Sequence, residues 1–282
     1  MKTIGVIGAG TMGAGIAQVA VQKGFEVVLH DVSNDVLKSS LQRITSDLKQ
    51  GVKKGIFTAR DAKKALARLK TTTLLKNLRT CNLVIEAVVE NLGLKKKLFT
   101  QLEKVCSSNT IFATNTSSLS VTAIASATKH PERVVGLHFF NPVPRMKLVE
   151  VISGVHTHQQ TMTLALDFIK QLEKVSILAK DSPGFIVNRV ARPFYGEALR
   201  LLGEGVASVA EIDRILKLEG GFNMGPFELM DLIGIDVNLA VTQSVYEQTF
   251  HEPRYRPHII QQRMVEAGTL GRKTKKGFYS YK

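Results

Sequence analysis

Thr3-Ile4-Gly5-Val6-Ile7-Gly8-Ala9-Gly10-Thr11-Met12-Gly13-Ala14-Gly15-Ile16-Ala17 is the stretch on which the fold turns. Its first five residues read as a short buried strand, and from Met12 to Lys23 small and apolar residues recur with helical period. Between them Gly8, Gly10 and Gly13 match G-x-G-x-x-G. Alone that pattern is common; set between a strand and a helix it acquires a mechanism. Gly8 permits the tight turn, Gly10 lets a pyrophosphate approach the backbone, and Gly13 lets helix and strand pack closely. The first helical amides, from Thr11 and Met12 on, lack intrahelical acceptors and sit at the positive end of the helix dipole, which suits phosphate.

The next apolar run, Glu26–Asp31, ends in a carboxylate where it would bind the ribose hydroxyls of a dinucleotide and repel a 2′-phosphate. This favours NAD over NADP. Further runs at Leu83–Ala87, Thr110–Thr114, Val134–Phe139 and Lys147–Ile152 alternate with helical segments, and Lys174–Lys180 reads as a last strand. The fold class is therefore α/β: an N-terminal Rossmann-like doubly wound, mostly parallel sheet. Between the second run and Leu83 lies far more chain than one crossover needs. Asp35–Gln50 and Thr58–Leu69 fill it as an inserted helical hairpin, with Gly51 and Gly55 flanking a turn tipped by Lys53 and Lys54. After the turn-rich Asp181-Ser182-Pro183-Gly184 only helical period remains, in Phe185–Leu202, Val209–Lys217, Phe227–Ile233, Asp236–Phe250 and His258–Ala267. We divide the chain into residues 1–182, an NAD-binding domain, and 183–282, an all-helical substrate and dimerisation domain.

The formal net charge is +14 over 282 residues. The excess is concentrated in Lys49, Lys53, Lys54, Arg60, Lys63, Lys64, Arg68 and Lys70, and again between Arg254 and Lys276. No nucleic-acid-binding signature accompanies either cluster, so a polyphosphate small molecule is the better reading than a nucleic acid or a membrane. No apolar run approaches membrane-spanning length. The chain reads as cytoplasmic, since Met1-Lys2 leads directly into a strand rather than a targeting segment. Cys81 and Cys106 lack metal spacing and read as reduced, packed thiols; His156 and His158 lack acidic or thiol companions, so no metal site is expected.

Two strand ends carry reactive groups. Asn115-Thr116-Ser117-Ser118-Leu119-Ser120 follows Thr110–Thr114, and His138-Phe139-Phe140-Asn141-Pro142 ends the next run, with Glu150 on the strand after it. Oxidising an alcohol with NAD requires a base for the hydroxyl proton, a task suited to imidazole. A carboxylate on the other ring nitrogen would fix the tautomer and stabilise the imidazolium. Glu150 fits that part if its strand neighbours that of His138, which the residues alone leave open.

Together these motifs resemble the L-3-hydroxyacyl-CoA dehydrogenase family, most of all its single-function 3-hydroxybutyryl-CoA members. The likeness runs through Gly8–Gly13, Glu86-Ala87-Val88-Val89-Glu90-Asn91, Asn115–Leu119, His138–Pro142, Asp181–Arg189, Gly225–Leu229 and Gly271–Tyr279. The resemblance implies His138 as catalytic base with Glu150 as its partner. It implies Ser117 and Asn188 as hydrogen-bonding groups at the reacting part of the substrate. Glu90, Lys95, Asn115 and Asn141 fall at cofactor positions, and Lys54 at a lysine used for CoA. Asp47, where relatives use a small hydroxyl residue, and Lys275, in place of a glycine, depart from the pattern. The expected activity is NAD-dependent oxidation of a short (S)-3-hydroxyacyl-CoA and its reversal, in a homodimer joined through the helical domain. Alternatives are a dehydrogenase of a free hydroxy or sugar acid, such as an L-gulonate dehydrogenase, and a nucleotide-binding protein without turnover.

Overall fold

The computed structural model describes residues 1–282, which form two compact units, Met1–Ser182 and Pro183–Lys282. In the first, β1 (Thr3–Ile7), α1 (Thr11–Gln22) and β2 (Glu26–His30) make the opening parallel unit. α1 is buried along nearly its whole length, from Gly13 to Val21, as its uninterrupted small and apolar sequence requires. β4 (Leu83–Glu86), β5 (Ile111–Thr114) and β6 (Val134–Phe139) extend the sheet from the other side of β1, separated in sequence by α4 (Leu92–Val105) and α5 (Val121–Ala125). β7 (Leu148–Ser153), α6 (Gln159–Gln171) and β8 (Val175–Lys180) complete it. With β3 (Leu69–Thr72) at one edge, the eight strands lie in the order β3-β2-β1-β4-β5-β6-β7-β8. All neighbours are parallel except β6 and β7. Residues 140–147 are too few for a crossover, so β7 must return antiparallel beside β6.

The hairpin is α2 (Asn34–Lys53) and α3 (Ala59–Ala67). Two sequence expectations fail here. α2 runs past Gln50, so Gly51 lies inside the helix and not in the turn; it is buried where a Cβ would strike the Phe57 ring. Gly55, at φ +69°, makes the actual turn. α3 stops at Ala67 rather than Leu69, and Leu69–Thr72 forms an edge strand, β3, paired with β2. Its β-branched threonines favour extension, and its half-exposed edge position leaves little apolar signature. α3 starts with a capping box in which the Thr58 hydroxyl and the Asp61 carboxylate satisfy each other's backbone amides.

The second unit contains α7 (Val187–Gly203), α8 (Val209–Leu218), α9 (Pro226–Ile233), α10 (Ile235–Gln248) and α11 (Ile259–Glu266) around Tyr195, Leu199, Ile212, Phe227, Met230 and Ile235. α7 begins at Val187 and not at Phe185, because Gly184 and Phe185 both adopt positive φ. No helix of either unit is long and apolar enough to cross a membrane.

Candidate active site

The glycine turn has the geometry that its spacing requires. Gly8 sits at φ +91°, and a Cβ there would lie 2.5 Å from the Ala87 carbonyl at the end of β4. A Cβ at Gly13 would collide with the Gly8 carbonyl, whereas Gly10 has no neighbour and leaves the turn open. α1 then starts at Thr11 and Met12 with no acidic residue in its first turn, so its positive end is uncompensated. Asp31 follows β2 directly; its carboxylate accepts from the Ala9 amide at 2.8 Å and the Ser33 amide at 3.0 Å. Arg43, on α2, donates to the Gly10 carbonyl at 3.1 Å and braces the turn from outside. The residues present fit a dinucleotide: an open glycine turn, a bare helix end and a carboxylate directly after β2.

Beyond the next strands the polar residues converge. Antiparallel pairing sets His138 of β6 directly opposite Glu150 of β7. His138 Nδ1 lies 2.6 Å from Glu150 Oε2, and both side chains are buried. The carboxylate at Nδ1 fixes the orientation of the imidazole ring. The Phe140 ring lies 4.4 Å away, limiting how far the imidazole can swing.

Asn115, at the end of β5, accepts from the Phe139 amide at 2.9 Å through its side-chain oxygen, and so ties its loop to the His138 strand. Glu90 gathers the next residues: its Oε1 accepts from the Thr116 hydroxyl at 2.5 Å, the Ser117 amide at 2.9 Å and the Ser118 amide at 3.2 Å. The protein around it pushes the Glu90 carboxyl up, but the Lys95 charge and these hydrogen bonds outweigh that and hold it below the ordinary carboxylate range. Lys95 is enclosed, its ammonium set between Glu86 and Glu90. The far end of the loop is fixed by Asp181, which accepts from the Ser120 hydroxyl at 2.7 Å and the Thr122 amide at 2.7 Å.

Asn141 is exposed, joined to Pro142 by a cis peptide bond. The turn behind it is held by Lys174, whose ammonium donates to the Val143 and Met146 carbonyls at 2.7 and 2.6 Å. Burial, then the charge of Lys23, lowers Lys174 from the usual lysine range. Lys54 caps α2 and lines a cleft of about 730 Å³ between α1, the hairpin and this turn. Leu48, Phe57 and Pro144 give the cleft an apolar lining, and Lys54, Arg145 and Asp47 charge it. Asn188 belongs to the second unit, near the start of α7, where Arg192 Nε donates to its carbonyl at 3.1 Å.

Sequence reading missed Glu86, Arg43, Lys174 and Arg145. None of the four left a local signal; Glu86, inside the expected run Leu83–Ala87, reads as a solvated group near a strand end.

A buried histidine–carboxylate pair thus lies on a sheet that opens with a dinucleotide turn. Residues 3–182 match the NAD-binding domain of 3-hydroxyacyl-CoA dehydrogenase and residues 184–281 its C-terminal domain. Over its full length the chain is 47% identical to a 3-hydroxyadipyl-CoA dehydrogenase of Escherichia coli K12, of which it spans 59%. It is 45% identical to a 3-hydroxybutyryl-CoA dehydrogenase of Bradyrhizobium diazoefficiens, spanning 96% of that protein. The crystal structure of an (S)-3-hydroxybutyryl-CoA dehydrogenase from Ralstonia eutropha superposes with a TM-score of 0.96 at 44% identity, covering 100% of this chain and 99% of that one. The chain belongs to the 3-hydroxyacyl-CoA dehydrogenase family, NAD-dependent oxidoreductases, and does so through both of its units.

Proposed function

We propose that the protein interconverts (S)-3-hydroxybutyryl-CoA and acetoacetyl-CoA. The observation that carries the chemistry is the 2.6 Å contact of His138 with Glu150. His138 Nε2 takes the 3-hydroxyl proton, and Glu150 holds the ring in place and stabilises the imidazolium that forms. Bound NAD supplies the hydride acceptor. Gly8, Gly10, Thr11, Met12, Gly13 and Asp31 hold its adenosine and pyrophosphate end, while Glu90, Asn115 and Asn141 shape the nicotinamide end. Ser117 and Asn188 hydrogen-bond the substrate, and CoA lies along the hairpin cleft with its phosphates toward Lys54. In reduction the imidazolium returns the proton to the ketone oxygen.

The four-carbon acyl group follows the names of the Bradyrhizobium and Ralstonia relatives. Assembly as a homodimer through the second unit is supported by the exposed apolar residues Val190, Ile215, Leu218, Phe222 and Val237. Cytoplasmic residence agrees with two free, buried or half-buried thiols, Cys81 and Cys106, which burial pushes up to about 12 and about 11.

Loss of NADH absorbance with acetoacetyl-CoA, repeated with free acetoacetate and with NADPH, tests the reading. Turnover restricted to the thioester and NADH is expected. Preference for the free acid would move the assignment to a hydroxy-acid or sugar-acid dehydrogenase.

A further inference from the structure

Glu86 and Lys95 are the deepest charged groups below the Asn115–Ser120 loop, at 0% and 1% exposed, and neither takes part in the proton transfer at His138. Lys95 Nζ lies 2.6 Å from Glu86 Oε1 and 3.2 Å from Glu90 Oε2. Glu86 is fixed in turn by the Val88 amide and the Thr114 hydroxyl, each at 2.7 Å. Glu90 carries the connection upward, through the Thr116 hydroxyl and the amides of Ser117 and Ser118. A buried ammonium is costly unless paired, and this one is paired on both sides. The result is a continuous ladder of charge from the end of β4 to the backbone of Ser117.

We infer that Glu86 and Lys95 are positioning residues for the reaction: Glu86 fixes the ammonium, the ammonium fixes the Glu90 carboxylate, and that carboxylate presents Ser117 to the substrate. The inference rests on reading Ser117 as a substrate-facing group. It gives Lys95 a function through Glu90, beyond the cofactor contact that family resemblance implies.

The consequence for pH has a definite sign. Lys95 is the charged group bearing on Glu90; its other partners are hydroxyls and amides. In Lys95→Met the protein around Glu90 still pushes its carboxyl up and the ammonium no longer opposes it. Glu86, now without a counter-ion, adds repulsion. The ionised carboxylate is the stronger acceptor for the Thr116, Ser117 and Ser118 donors on its Oε1, so the variant loses activity as pH falls through the raised value and regains it as pH rises.

The test is NADH-dependent reduction of acetoacetyl-CoA, followed from mildly acidic to mildly alkaline pH. Lys95→Met should lose kcat on the order of 100-fold at the acid end, the scale of a misplaced reacting group, and recover toward the alkaline end. Adding Glu86→Gln removes the competing carboxylate and should restore part of the loss. That double variant holds no unpaired charge at either position, so it reads the same pH profile if the single variant does not fold. A loss uniform across pH with no rescue, or a change confined to the KM for NADH, would overturn the inference. Ser117→Ala separates the two levels. If it turns over like wild type, the reading of Ser117 falls and the inference with it. If it is impaired while Lys95→Met keeps the wild-type profile, the positioning role alone is wrong.

Discussion

Each unit buries carboxylates, and their partners differ. In the first, buried Glu150 accepts from an imidazole, while Glu90, more open to solvent, accepts from the loop that carries Ser117. In the second, Asp231 accepts from the amides of Phe278 and Tyr279 and from the Tyr281 hydroxyl, and Asp213 from the amides of Phe227 and Glu228 and the Tyr279 hydroxyl. Burial pushes Asp213 above the ordinary range in spite of those donors. Carboxylates as enclosed as Glu150 and Asp231, at 0% and 1% exposed, thus hold an imidazole in one place and a chain terminus in the other. What marks the site is a partner that can itself exchange a proton or move, not burial or a shifted pKa.

The largest effect that would break this contrast belongs to His138. His138→Ala should lower kcat roughly 10,000-fold, the upper end of general acid–base contributions, while NADH still binds. Wild-type turnover in that variant would remove the first unit's claim to the chemistry. Glu150→Gln comes next, at roughly 100-fold in kcat, the lower end of acid–base contributions, because the amide can hold the ring but cannot offset the imidazolium charge. A loss seen as instability instead of slower turnover would put Glu150 in the same class as Asp231.

Asp231→Asn tests the contrast from the other side. Losing the charge on an acceptor of three hydrogen bonds should cost about 2 kcal/mol of stability, read as an earlier urea midpoint. Turnover per folded molecule should stay within about twofold, since each partner belongs to the C-terminal tail. A large fall in kcat with an unchanged midpoint would mean that the second unit's buried acids also serve the reaction.

The sequence displays the two kinds of carboxylate unequally. The glycine turn, the hairpin and the strand ends bearing Ser117 and His138 are legible because each depends on local spacing. The pairing of His138 with Glu150 depends on strand neighbourhood, which the residues alone leave open and the antiparallel pairing of β6 with β7 supplies. Glu86 is not legible either. A glutamate at a strand end reads as solvated until Lys95, nine residues on, is seen to fold back over it. β3 escapes notice for a related reason, since Leu69-Lys70-Thr71-Thr72 has no apolar face and becomes a strand only because β2 offers it an edge. Arg43 and Lys174 act on backbone carbonyls, which any sequence offers everywhere.

The smallest expected effect concerns the hairpin, where charge is exposed and no buried pair is involved. Lys54 and Arg145 line one cleft, with Asp47 on the same wall. An exposed lysine meeting a phosphate in water contributes modestly, so Lys54→Ala should raise the KM for acetoacetyl-CoA about tenfold, or ~1.4 kcal/mol, with kcat unchanged. Acetoacetyl-pantetheine, which has the same reacting end and no nucleotide, should show no such change. Added salt should narrow the wild-type advantage, since screening weakens an exposed contact far more than the enclosed ladder under Ser117. Equal KM changes for both thioesters would mean that Lys54 shapes the cleft without reading phosphate, and the charge excess of the hairpin would then need another ligand.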